Sequence, residues 1–320
     1  MKTIKLIKHN TNIQFLKFKK ATLIMSITIC FFSIFSLFLN GLNFGIDFKG
    51  GTLIEVSSEN SINISNVRSV LSSLNLGDVQ IQNFGSEKNI LVRIEASSSE
   101  NNSSALSKIT NQLILFGKIQ RTEVVGPKIS SELIQKGILA IISAVGLMLF
   151  YIWIRFEWQF SLGAVLALIH DVIITIGIFS FFQIEFNLSI IAALLTIIGY
   201  SMNDTVVVYD RIRENLRKYK KQDLYDLINI SINQTLSRTV LTSFTTLLAL
   251  FSLYIFGGQV IKGFTFAKII GVFIGTYSST FIASQLLHIL GVKEIGQKIT
   301  ISSLYKFLNK DYNRFLFNGV

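Results

Sequence analysis

Charge is scarce in this chain. Of its 320 residues, 15% are Asp, Glu, Lys or Arg and 50% are hydrophobic, with a mean hydropathy of +0.52. That balance excludes a disordered chain and is too apolar for an ordinary soluble enzyme. Cysteine is nearly absent: Cys30 stands alone inside an apolar run, so no intramolecular disulfide can form. Histidine is almost as rare. His9, His170 and His288 are the only three, and no second histidine stands at ligand spacing from His170, so no metal site is expected. No serine- or cysteine-based triad is readable, so the chain is not expected to be an enzyme, and no cofactor site stands out. Acids are outnumbered, 19 against 30 bases, for a net charge of +11. Such an excess points to nucleic acid or to an anionic membrane. The bases cluster beside apolar spans, which selects the membrane and leaves no nucleic-acid partner.

What is present is a series of long apolar runs. Residues 1–20 form a basic stretch with six lysines and no acids, followed by a first run at 21–40. A secretory signal peptide has that pattern too. The run has the length of a true span, roughly 20 residues, and five more follow, so a retained first transmembrane helix is the better reading. The others lie at 137–154, 161–182, 187–208, 239–256 and 265–290. The basic residues flank one side of this series: 1–20, Arg155, the polar loop 209–238 and the tail 291–320. Short basic loops stay in the cytoplasm. Both termini are therefore expected inside, in a multi-pass membrane protein.

Between the first two spans, residues 41–136 turn polar. Strand patterns at 52–56, 78–84, 89–95 and 119–125 alternate with helix patterns at 65–75 and 103–116. The order β-α-β-β-α-β predicts a ferredoxin-like α+β domain outside the membrane. The expected architecture is thus an α-helical membrane protein of six spans carrying one such domain after the first helix.

Five stretches carry chemistry or tight geometry. In Phe44-Gly-Ile-Asp-Phe-Lys-Gly-Gly-Thr52, Gly45, Asp47, Gly50 and Gly51 suit a sharp joint where the chain leaves the membrane. No helix start follows and the Walker lysine-hydroxyl pair is missing, which disfavours a phosphate loop. Asp171, beside His170, is an intramembrane acid, with helix-helix adhesion and proton handling as competing roles. Asp204 sits in the segment from Gly199 to Asn215, in an apolar run that turns basic after Tyr209. An acid there is costly and has a function or a partner. Arg211 on the same helical face is one partner, and Arg238, at the start of the next span, is another. Gly199, Asn203, Thr205, Thr239 and Thr242 are read as a polar interior around this acid. Gly271 and Gly275, at four-residue spacing, let helices approach closely. Beyond Asp204, Asp210 with Arg213 and Glu214 with Lys218 read as exposed helix pairs.

FGIDFKGGT at 44–52, VGPKISSEL at 125–133, ALIHDVIITIG at 167–177, GYSMNDTVVVYDRIREN at 199–215, TLSRTVLTS at 235–243 and IGTYSSTFIAS at 274–284 together resemble the SecF family. Its members are the smaller partners of SecD in bacterial Sec protein export. The resemblance implies a six-helix half of a resistance-nodulation-division (RND) type membrane domain. It would form a heterodimer with SecD, work beside the SecYEG channel and YajC, and act on an unfolded polypeptide in transit by using proton motive force. It also implies proton conduction through Asp204 with Arg238, and a less settled role for Asp171. Lys49 departs from the small polar residue common in the external motif. The alternative is an RND-like exporter of small molecules, whose members normally carry both halves in one chain.

Overall fold

The structure is a computed structural model that describes residues 11–74, 79–95 and 102–292. The outer parts of the basic N-terminus (1–10) and tail (293–320), Asn75 and Asp78 lie outside the described residues. A 3₁₀ turn, Phe15–Phe18, leads into helix α1, Lys19–Asn40. The joint contains one helical turn, α2, Ile46–Lys49, and opens directly into strand β1, Gly51–Ser57. Then come α3 (Ile64–Ser72), β2 (Val79–Phe84), β3 (Ser86–Glu95), α4 (Asn102–Leu113) and β4 (Lys118–Val125). The antiparallel sheet has the order β2-β3-β1-β4, the split arrangement that the strand and helix pattern predicts.

Strand alternation gives this sheet two unlike faces. Ile54 and Val56 of β1 stand opposite Val92 and Ile90 of β3 and pack under Val67, Leu71, Ile109 and Leu113 of the two helices. The other face carries Leu53, Glu55, Leu91 and Arg93, with Arg121 and Glu123 of β4 in register. It looks toward the connections between the membrane helices. Arg93 pairs there with Glu185 at 2.6 Å, beside a cleft of about 290 Å³ lined in part by Asp47, Glu55, Arg121, Glu185 and Gln259.

Five further long helical segments build the bundle: α5 (Pro127–Arg155), α6 (Trp158–Phe181), α7 (Leu188–Lys218), α8 (Leu224–Phe256), and α9 (Lys262–Tyr277), which continues through a π-helical turn (Ser278–Ala283) into α10 (Ser284–Leu290). With α1 they make six helices long and apolar enough to cross a membrane, and the chain is a multi-pass membrane protein. Helices α6, α7 and α9 are the most buried, while α1, α5 and α8 present most of their surface outward. On α1 the pattern is inside out: Phe31, Phe32, Phe35 and Phe38 are exposed, while Ser26, Ser33 and Ser36 are buried. Lipid tails offer leucine and phenylalanine no incentive to hide, and small residues bring helix backbones together.

The segment 209–238 differs from the expected loop. Helix α7 runs on to Lys218 and α8 starts at Leu224, leaving a five-residue turn. Its charges suggested a solvated connection. Tyr209, Ile212, Leu227, Ile228 and Ile232 pack into one core with Phe15 and Leu16, so both helices continue past the apolar stretch. The exposed pairs also differ. Asp210 turns to Arg155 of α5 at 3.1 Å, and Glu214 takes Arg211 at 2.6 Å.

Candidate functional site

Helix α7 positions Asp204. Its inward face carries Ile197, Ser201, Asp204, Thr205 and Val208, all buried. Asp204 is 2% exposed, and its Oδ2 atom has no hydrogen-bond partner. Burying an unpaired carboxylate oxygen is expensive, which singles this atom out as the candidate position for a proton or a cation. Arg238 of α8 is near enough for its charge to act on the carboxylate. The guanidinium is exposed, and no direct ion pair joins the two. The other partner considered, Arg211, is engaged elsewhere: it donates to Gln234 at 2.6 Å and to Glu214 at 2.6 Å. Thr239, one residue after Arg238, is also buried with a partnerless hydroxyl.

The remaining polar-interior residues divide. Thr205 is buried and donates to the Ser201 carbonyl, while half-buried Thr242 donates to the Arg238 and Thr239 carbonyls. Gly271 and Gly275 of α9 lie against Ile197 and Ser201 of α7, and a Cβ on Gly275 would come within 3.0 Å of the Ser201 side chain. Gly199 and Asn203 are not interior. Both are exposed, and nothing lies within 4 Å of where a Gly199 Cβ would stand. Adjacent helical positions point about 100° apart, so sequence proximity to Asp204 does not share its environment. Instead Ala192, Thr196, Gly199 and Asn203 form an exposed stripe of small and polar residues along α7. Arg238, Thr245, Ala249 and Ser252 make a second exposed stripe on α8.

Asp171 of α6 has the opposite surroundings. It is 1% exposed, and its Oδ2 accepts from Ser201 at 2.6 Å and from Ser278 at 2.7 Å. Its Oδ1 lies 2.9 Å from His170 Nδ1. The carboxylate therefore ties α6 to α7 and to the π-helical turn. Sequence reasoning missed Ser201, Ser278 and the role of His170. The available signal was a run of hydroxyl residues at 276–280, which gives polarity but no partner.

The joint grips two helix starts. Asp47 Oδ2 accepts from the Leu188 backbone N–H at 2.8 Å, capping the first turn of α7. Gly45 N–H donates to the Phe186 carbonyl, and Phe186 N–H returns a bond to Asn43. Gly50 and Gly51 have φ of +77° and +132°, a region L side chains rarely adopt, and Gly50 also approaches Pro127 at the start of α5. Lys49 closes the α2 turn through its backbone N–H, bonded to the Gly45 carbonyl.

A family model described as protein export membrane protein SecD/SecF, C-terminal, matches residues 107–293, and a SecD/SecF GG motif matches residues 35–62. The chain is 45% identical to the protein translocase subunit SecF of Cereibacter sphaeroides, over 96% of this chain and 98% of that one. It belongs to the SecF family. The SecF of Rickettsia bellii is 43% identical over 91% of this chain and 97% of its own. Among solved structures, SecDF of Thermus thermophilus, described as a translocon-associated membrane protein, superposes with a TM-score of 0.80 at 34% identity. SecDF in a super-membrane-facing form gives 0.62 at 35%. The chain covers 89% of itself but only 39% of the first SecDF chain. It thus matches whole SecF proteins and a minor part of SecDF. The GG-motif match contains the joint, whose glycines and Asp47 have the geometric reasons given above.

Proposed function

We propose that this chain is an accessory subunit of the Sec protein translocase that couples proton movement through the membrane to the position of its sheet domain. Asp204 is the switching group and Arg238 its charged partner. The observation that carries this reading is the partnerless, buried Oδ2 of Asp204 with Arg238 acting on it from the next helix. An ionised carboxylate in that place needs a counter-charge or a donor, whereas a protonated one is neutral and needs neither. Proton arrival and departure therefore select between two arrangements of α7 and α8.

The partner is a SecD-type half. Small and polar side chains exposed along α7 and α8 are poor company for lipid and good company for another helix. They supply the face on which that half would sit, with Asp204 just behind it. The family relationship supports work beside SecYEG and YajC on an unfolded polypeptide in transit, in the bacterial inner membrane. The basic flanks support termini on the cytoplasmic side. The exporter alternative is not favoured, because the relatives spanned end to end are protein translocase subunits.

The test is export in cells carrying Asp204→Asn, with protein level measured in parallel. Impaired export at a normal level supports the reading. Undiminished export at a normal level overturns it.

A further inference from the structure

Beside Asp171, His170 keeps a buried ring nitrogen, Nε2, that no neighbour satisfies. An ionised carboxylate can only accept hydrogen bonds. Asp171 already accepts from Ser201 and Ser278 on one oxygen; with the acid ionised, the contact of its other oxygen at 2.9 Å places the hydrogen on His170 Nδ1. A neutral imidazole with Nδ1 protonated leaves Nε2 as a bare lone pair. In this structure His170 Nε2 is buried and has no partner. The carboxylate thus fixes the tautomer, presents a base at Nε2 and stands ready to stabilise the imidazolium that forms there. A carboxylate orienting a histidine in this way is a recurrent arrangement in both catalytic and metal sites.

A polar route leads toward that atom. Thr22, Ser26 and Cys30 share one face of α1 at four-residue spacing, a helical stripe. Gln285 of α10 donates to Thr22 Oγ1 at 2.6 Å. Tyr277 donates to the Thr22 carbonyl at 3.0 Å and meets Ser26 Oγ at 3.0 Å. The Tyr277 ring lies 6.4 Å from the His170 ring, centroid to centroid, and Cys30 is close enough to feel the Asp171 charge. Gln285 Oε1 is a second buried atom without a partner on this seam. The remaining surroundings add little charge. From α7 comes Ser201, with Asp204 one turn further. Helix α5 has no titratable side chain from 137 to 150, the π-helical turn has none, and His288 of α10 meets Tyr225 edge to face.

We propose that His170 Nε2, oriented by Asp171, is a second intramembrane proton-binding site, reached from the Thr22 end along the seam that Thr22 and Ser26 of α1 form with Tyr277 and Gln285. The site extends the role of Asp171 and does not depend on Asp204. The proton bonds to the Nε2 lone pair, and the charge created is balanced by the Asp171 carboxylate 2.9 Å from the other nitrogen.

Two measurements on the full chain, reconstituted in lipid with a SecD partner, test this. Nitrogen NMR of ¹⁵N-histidine-labelled protein should show His170 Nε2 passing from an unprotonated to a protonated signal on acidification. Asp204→Asn should leave that titration in place, and Asp171→Asn should remove or displace it. A His170 Nε2 signal that stays unprotonated throughout the acidification the folded chain withstands overturns the site. Its persistence unchanged in Asp171→Asn overturns the orienting role. Cys30, the only cysteine of the chain, reports on the route. A water-borne thiol reagent should label it, and Thr22→Val with Ser26→Ala should slow the labelling. An unlabelled Cys30 in the native chain overturns access along this seam. Loss of export in Asp204→Asn with His170 still titrating separates this proposal from the reading of Asp204.

Discussion

Two carboxylates lie buried in the same bundle on adjoining helices, and their surroundings are opposite. Asp171 has a donor on each oxygen and holds three segments together. Asp204 has an oxygen with nothing on it and a positive charge nearby but not in contact. A saturated carboxylate is fixed in charge by its donors, and removing it breaks several bonds at once. An unsaturated one can change charge cheaply, and neutralising it removes no bond. One acid therefore organises the bundle, while the other is the group on which the proposed proton switch rests.

The largest way to break that contrast is Asp171→Leu. Two hydroxyls and an imidazole lose their acceptor, and a loss of about 3–5 kcal/mol is expected from several buried donors left unsatisfied at once, at about 1–3 kcal/mol each. Thermal unfolding in detergent should show a marked drop and cellular levels should fall. Unaltered stability would mean that the network is not structural. Gly271→Ala comes next. Its methyl would press on Ile197 and push α9 from α7, loosening the Ser201 and Ser278 grip on Asp171, at about 1–3 kcal/mol for overpacking. Gly199→Ala, with open space around it, should leave the unfolding temperature of the isolated chain unchanged. A bulkier Gly199→Leu should cut co-purification with a SecD partner if the exposed stripe is the contact.

Smaller still is Asp47→Ala, which removes the side-chain cap of α7 at about 1 kcal/mol. Hydrogen exchange at Leu188 should rise, with Asp47→Asn recovering part of the protection. Asp204→Asn should have the least effect on folding, within about 0.5 kcal/mol of the parent, as for a change that breaks no buried contact. Unfolding of that variant by the same assay is the control for the export test. A large destabilisation would make Asp204 a second Asp171 and erase the contrast.

Hydropathy made the six helices legible, and alternation made the four strands legible, because both signals are local. Asp204 was visible for the same reason, as one acid in an apolar run. The network of Asp171 was not, since Ser201 and Ser278 arrive from 30 and 107 residues away and serine is ordinary in a span. Asn203 and Gly199 misled because adjacency in sequence was taken for adjacency in space. The charged segment after Tyr209 misled differently. Its apolar face, Ile212 and Leu216 on one helix and Leu227 and Ile228 on the next, was masked by the charges interleaved with it.

Helix α7 is 31 residues long, about 46 Å at 1.5 Å per residue, and no described part of it is kinked by proline. It begins under the cap of Asp47, where the sheet domain is rooted, and passes Asp204 before ending in the packed hairpin beyond the apolar stretch. A rod of that kind cannot change its length. On the proposed proton switch, a tilt imposed at Asp204 would appear at both ends together, so the sheet domain and the packed hairpin are geared to one shaft.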